Sequence, residues 1–311
     1  MPQSNDGLTL TPVTPPAART LEFSLPGLSI GYAEYEEGPT GCTVFLFDRG
    51  WLMSIDERGG LVGTTGGYDW GHALCFAGGS LLGLEASTGV VAELWARKEH
   101  STDHIPLVNG AIVWDYVFRQ NTIYPDKALG RAATAAAIPG VVPLGQRGAG
   151  RSVTVGKVKF PAERGGQGAA FREMAGVKFL VVTVVNAVGG IVNREGQVVR
   201  GNLDPATGIR HRAFDILAPR RSGSGGPPAP TQNTTLTLVA TDAKLTARQL
   251  TQFGRQVHTS MSRAIDPFHT STDGDVLYAV TSNQVQATAT PDGLGIIASE
   301  VAWDAVLACY E

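Results

Sequence analysis

A chain of 311 residues is long enough for one large domain or two small ones, and for a sizeable core. Its 43% hydrophobic content, 39 glycines and only 17% charged residues describe a well-packed, loop-rich globular protein. A net charge of −3 and a pI near 6.1, with no basic cluster beyond Arg220-Arg221, argue against nucleic acid or an anionic membrane as partner and leave a small or neutral ligand.

Residues 1–20, with Pro2, Pro12, Pro15 and Pro16, read as a flexible leader ahead of a single domain over 21–311. The leader lacks a basic start followed by an apolar run, so no secretory signal is read. No apolar stretch reaches the roughly 18–20 residues of a membrane span, and the expectation is a cytoplasmic protein. From 21 to 47, short apolar runs alternate with turn signals at Pro26-Gly27 and Gly38-Pro39, predicting strands joined by tight loops. Gly63–Gly67 and Gly78-Gly79 bracket residues 68–77, a segment that either lines a site or packs closely through its glycines. Over 80–98 the apolar spacing predicts a buried helix with Ser80 as N-cap. A strand is predicted over 108–118, carrying Trp114, Asp115 and Tyr116 at its end. Residues 125–137 form a helix begun by Pro125 and stopped by Pro139-Gly140. The glycine-rich loop 145–150 lacks the spacing of a phosphate loop.

Residues 153–160 hold Lys157, and the β-branched run 177–186 ends at Asn186. Taken alone, Lys157 reads as a surface charge and Asn186 as a turn residue. A Ser, Gly and Pro-rich linker over 220–233 ends at Asn233-Thr234, where an apolar, β-branched core strand begins. Residues 246–265 predict an amphipathic helix with Leu250, Phe253, Val257, Met261 and Ile265 inward. His258 and His269 have no third partner at triad or metal spacing and are read as structural. Asp273 and Asp275 flank Gly274. In an extended segment residues at i and i+2 face the same way, so both carboxylates can converge, although an ordinary Asp-Gly turn fits as well. The apolar strand 276–280 follows, and a helix over 298–310 closes the chain. Cys42, Cys75 and Cys309 fit neither a metal site nor a disulfide framework and are read as buried thiols.

The Asn233–Thr234 junction admits three readings. It is a loop entering a strand, it fits a glycosylation sequon with Thr235, or it is a self-cleavage site. In the last, the threonine hydroxyl attacks the carbonyl before it, and an N-to-O acyl shift gives an ester that water opens. The freed α-amine, with an ordinary pKa of about 7.7–8.0, then serves as base for its own hydroxyl.

Several long segments carry a resemblance to a known family: LEFSLPGLSIGYAEYEEGPTGCTV at 21–44, GGYDWGHALCFAGGSLLGLEASTGV at 66–90, YPDKALGRAA at 124–133, GQGAAFR at 166–172, NTTLT at 233–237 and FHTSTDGDVLYAVT at 268–281. In this order and spacing the chain resembles the nylon-oligomer hydrolases, within the self-processing L-aminopeptidase/D-esterases and β-peptidyl aminopeptidases. The resemblance implies an α/β fold, an αββα sandwich of the N-terminal-nucleophile type. It implies cleavage into an α-chain 1–233 and a β-chain 234–311 that remain associated, and a dimer or tetramer of such units. It also implies Thr234 as nucleophile and α-amine base, Asn186 as oxyanion donor, Lys157 beside the nucleophile, and Asp273 and Asp275 as proton carriers. No metal or cofactor is called for. The implied substrate is a 6-aminohexanoate oligomer cut at internal amides, with Tyr68, Trp114 and Tyr116 as groove walls; Trp114 stands where those enzymes have tyrosine. Two alternatives stay open: an aminopeptidase for β- or D-amino acids, and an acyltransferase of the ornithine acetyltransferase type.

Overall fold

The computed structural model describes residues 3–116, 119–217 and 233–310, so residues 220–232 of the expected linker lie outside the described residues. The main strands are β1 (Leu28–Tyr35), β2 (Thr40–Glu57), β3 (Trp70–Ala77), β4 (Val108–Ile112), β5 (Gly166–Met174), β6 (Val177–Asn186), β7 (Thr234–Ala243) and β8 (Val276–Val285). Four long helices accompany them: α1 (Glu85–Ala96), α2 (Lys127–Ala135), α3 (Ala247–Ser260) and α4 (Pro291–Leu307).

These strands belong to one hydrogen-bonded sheet that runs β5-β6-β7-β8-β2-β3-β4, with β1 paired to β2. The 18-residue β2 turns this sheet into two layers. Its first half pairs with β1 and β3, its second half with β8, and the register with β3 slips between Leu46 and Trp51. Such a slip bends a strand and increases its twist. The inner faces meet in one core: Phe45, Leu74 and Phe76 from one layer lie against Leu180, Val182, Leu236, Leu238, Val276 and Tyr278 from the other.

Alternation along each strand builds the outer layers. Val239, Leu277 and Ala279 point outward beneath α3 and α4, which bring Leu250, Phe253, Val257, Leu294, Val301 and Val306. On the opposite outer face Ala73, Cys75 and Ala77 pack under Ala86 and Val90 of α1 and Leu129 and Ala133 of α2. The order is therefore helices, sheet, sheet, helices, the expected αββα sandwich. All three cysteines are buried free thiols. Among the described residues, no helix is long and apolar enough to cross a membrane.

Several boundaries differ from the sequence expectation. The leader is held rather than loose: Asn5 exchanges hydrogen bonds with the Tyr124 backbone, Val13 bridges Glu34, and Thr20–Glu22 pairs with Val141–Pro143. Ser80 caps no helix. It sits at φ +51° in a 3₁₀ turn, Ser80–Leu84, and its hydroxyl accepts from the backbone N–H groups of Asp115 and Tyr116. The strand expected over 108–118 ends at Ile112, and Val117 and Phe118 lie outside the described residues. Asp126, not the proline before it, caps α2 by accepting from the Leu129 N–H. The helix expected over 246–265 stops at Ser260, where a 3₁₀ turn and the short strand Ile265–Asp266 take over. Its start carries the reciprocal Thr246–Gln249 capping box.

Candidate active site

Thr234 is the first residue of β7, a strand buried over its whole length and flanked by β6 and β8. The antiparallel register sets Asn186, the last residue of β6, directly opposite Thr234. Asn233 bridges Asp273 in the parallel sense just ahead of β8. Three strand ends therefore converge on the Asn233–Thr234 bond.

Lys157 reaches this point by a local pairing. Gly156 and Lys157 donate their N–H groups to the carbonyls of Gly189 and Val188, which lays residues 156–157 beside the end of β6. The ammonium Nζ then donates to the backbone O and the Oδ1 of Asn186, each at 2.9 Å. Burial pushes the Lys157 pKa down to about 7, with the charges of Asp273 and Asp115 acting the other way. The Asn186 Oδ1 also takes the Thr154 N–H, and its Nδ2 donates to the Trp114 carbonyl at 2.6 Å. The lysine, which taken alone read as a surface charge and which the resemblance set beside Thr234, is buried, and the asparagine is fixed on both sides of its amide.

The Thr234 hydroxyl donates to the carbonyl oxygen of Asn233, the residue before it, and accepts from the Trp114 N–H at 3.2 Å. That same carbonyl takes the Gly274 N–H at 2.8 Å. Gly274 has no room for a side chain: a Cβ would stand 2.6 Å from the Leu61 carbonyl oxygen and 3.1 Å from the Thr234 Oγ1. Its role was hidden in the sequence as the spacer of an ordinary Asp-Gly turn.

The two flanking carboxylates are both buried. Asp273 accepts from the Thr270 hydroxyl at 2.6 Å, the Thr270 N–H at 3.0 Å and the Val188 N–H at 3.4 Å. Burial and the neighbouring Asp275 nevertheless push the Asp273 pKa up to about 6. Asp275 accepts from the Thr235 N–H at 2.6 Å.

Of the expected groove walls, Trp114 is in the site: its backbone touches Thr234 and its indole donates to the Leu61 carbonyl at 2.8 Å. Tyr116 turns its phenol to the Thr122 carbonyl, and Tyr68, a residue 40% exposed, is tied by its backbone to Asn109 of β4. Asp115, from the end of the same predicted strand, is buried. It accepts from the Gly79 N–H and the Ser152 hydroxyl and pairs with Arg119, bracing the segment that holds Trp114. Among the described residues, no group of three His, Cys, Asp or Glu side chains could hold a metal ion.

The model of peptidase family S58 matches residues 24–309. The chain belongs to peptidase family S58. It is 47% identical over 320 residues to the 6-aminohexanoate-oligomer endohydrolase of Paenarthrobacter ureafaciens, covering 97% of this chain and 89% of that one. It is also 47% identical over 304 residues to a putative NylC-analogous protein of an Agromyces species, covering 92% and 98%. Two solved structures share this fold at low identity. The β-aminopeptidase of a Burkholderia species has a TM-score of 0.65 at 18% identity, over 92% of this chain and 84% of that one. The L-aminopeptidase D-Ala-esterase/amidase of Ochrobactrum anthropi, described as a variant of the Ntn hydrolase fold, has a TM-score of 0.65 at 16% identity over the same shares.

Proposed function

We propose that this chain is an amide hydrolase that cuts its own Asn233–Thr234 bond and then uses Thr234 to hydrolyse internal amides of 6-aminohexanoate oligomers. The observation that carries the reading is the hydrogen bond from the Thr234 hydroxyl to the Asn233 carbonyl, an oxygen that also receives the Gly274 N–H. Nucleophile, scissile carbonyl and a donor for the developing oxyanion are then in one place before any cleavage.

Attack of Oγ on the Asn233 carbonyl carbon gives a tetrahedral oxyanion held by Gly274. Collapse breaks the C–N bond as the proton lost from the hydroxyl passes to the departing nitrogen, which leaves an ester on Thr234 and a free amine, and water then opens the ester. Lys157, lowered to about 7, and Asp273, raised to about 6, both exchange protons near neutrality. In the mature enzyme the Thr234 amine takes the hydroxyl proton as Oγ attacks the substrate carbonyl. Asn186 spends one Nδ2 hydrogen on Trp114 and has a second for the substrate oxyanion. Asp273 hands a proton to the leaving amine, and water releases the acid.

The substrate reading rests on the named activity of the 47% identical relative and on the apolar wall near the nucleophile. Trp114, with Leu61 half exposed beside it, suits an aliphatic chain punctuated by amides. Intact mass of freshly purified wild type and Thr234→Ala tests the nucleophile. Wild type splits into chains of 233 and 78 residues while the variant stays whole; a wild type that hydrolyses amides as one uncut chain would refute the reading. Incubating the cut enzyme with 6-aminohexanoate oligomers and resolving the products tests the substrate, shorter oligomers appearing before monomer.

A further inference from the structure

Beside Asp275 lies a pair of imidazoles, His258 buried and His269 partly buried, that the scheme above does not use. The ring Nδ1 and the backbone N–H of His269 both meet one oxygen, Asp275 Oδ2, each at 3.0 Å. The Oδ1 of the same carboxylate is taken by the Thr235 N–H. His269 holds this double contact at φ +58°, a left-handed conformation that residues with a side chain seldom adopt. Its ring lies on Phe268, 3.8 Å between centroids, and meets the ring of His258 edge to face at 4.4 Å. His258 belongs to α3, is fully buried, and sets its Nδ1 2.9 Å from Asp56 Oδ2 on β2. Arg58 holds that same oxygen at 2.7 Å.

We propose that His269 is a positioning residue for Asp275, the near end of a chain Asp56–His258–His269–Asp275 that fixes the orientation and charge of the second active-site carboxylate. The inference rests on the catalytic reading above. The hydrogen-bond inventory supports the direction of each proton. Although burial works the other way, the His258 hydrogen bond and Arg58 hold Asp56 below the usual carboxylate range, so it is ionised and only accepts. The proton in that pair is therefore on His258 Nδ1, and burial pushes the His258 pKa down, keeping the ring neutral. His269 faces an acceptor in the same way and carries its proton on Nδ1. The Nε2 atoms of both rings are buried without a hydrogen-bond partner. Such atoms are uncommon and call for a reason; here both rings are committed, through Nδ1, to a carboxylate.

The effect concerns which carboxylate holds the proton. Burial first, and then the Asp275 carboxylate, raise the pKa of Asp273. Three N–H donors, two of them from His269, face Asp275, and hydrogen bonds of this kind favour the charged form of a carboxylate. The other charged groups that face this arrangement are Lys157, which acts on Asp273 from the nucleophile side, and Asp56 with Arg58 behind His258. A phenyl ring at 269 would fill the same space beside Phe268 and His258. Only the Nδ1–H would be lost.

The test is the pH dependence of kcat/KM on a 6-aminohexanoate oligomer for the self-cleaved enzyme, as wild type, His269→Phe, His269→Asn and Asp275→Asn. In His269→Phe the acid limb moves upward by about one pH unit, the usual consequence of removing a donor from an ionised carboxylate. His269→Asn, which tolerates the left-handed backbone and restores a side-chain N–H, keeps the wild-type limb. A wild-type acid limb in a self-cleaved His269→Phe, alongside an inactive Asp275→Asn, overturns the inference and leaves the catalytic reading standing. Full activity in Asp275→Asn overturns the catalytic assignment of Asp275 itself. If His269→Phe does not fold, ¹⁵N NMR of the wild-type imidazoles decides: a protonated Nδ1 with a bare Nε2 on His269 at pH 8 supports the chain, and the opposite tautomer sinks it.

Discussion

Replacing Lys157 with methionine should make the folded protein more stable near pH 7 while removing its activity, and the gain should fade as pH rises. Lys157 falls from an ordinary 10.5 to about 7 on folding. Between those values the unfolded chain holds a proton at this position that the folded chain releases. The associated stability is fully present above about 10.5 and is lost as pH falls towards 7. Across that window the loss amounts to about 4–5 kcal/mol, or about 1.4 kcal/mol for each pH unit. Methionine fills a similar length without a charge to desolvate. Against this, the backbone O and Oδ1 of Asn186 each lose their ammonium donor, an opposing cost of about 1–3 kcal/mol that does not vary with pH. The net expectation is a gain of about 1–3 kcal/mol at pH 7 that vanishes near pH 9. The assay is urea unfolding at pH 7, 8 and 9, followed by fluorescence and circular dichroism. Both chains should also carry Thr234→Ala, so that unfolding involves one polypeptide. Above pH 7 Asp273, at about 6, is ionised in both states and does not disturb the comparison. A stability difference that stays flat from pH 7 to 9 would refute the buried, proton-poor lysine.

Gly274→Ala forces its Cβ to within 2.6 Å of the Leu61 carbonyl oxygen unless the backbone shifts, which pulls the Gly274 N–H off the Asn233 carbonyl. Self-cleavage, timed by intact mass after dilution from denaturant, should slow about 10²–10³-fold, the usual effect of one lost oxyanion donor; an unchanged rate removes Gly274 from the mechanism. Phe253→Ala on α3 empties a fully buried position facing β7 and β8 and should cost about 3–5 kcal/mol in urea unfolding, with self-cleavage retained under native conditions. A cost below about 1 kcal/mol would mean that α3 is not packed on the sheet in this way.

The elements that depend on neighbours along the chain were legible without the fold. The β-branched run that became β7, the start of that strand at Thr234 and the inward face of α3 at Leu250, Phe253 and Val257 all follow from local periodicity. Boundaries failed where a distant group outbid a local preference. Ser80 has the composition of a helix cap, yet its hydroxyl serves backbone N–H groups 35 and 36 residues away.

The site was legible only through resemblance, since Lys157 and Asn186 taken alone read as surface and turn. What joined them was the pairing of 156–157 with 188–189, and what brought Trp114 to Thr234 was a contact across 120 residues. The same holds for His258 and His269, whose carboxylates Asp56 and Asp275 come from two other places in the chain. By itself the sequence determined which segments are strands and helices, because those preferences are settled within a few residues. Burial of Lys157, selection of Gly274 as a donor and the pairing of each histidine with a carboxylate were decided by the tertiary structure, because desolvation and hydrogen-bond partnership exist only once distant segments have excluded water from one another.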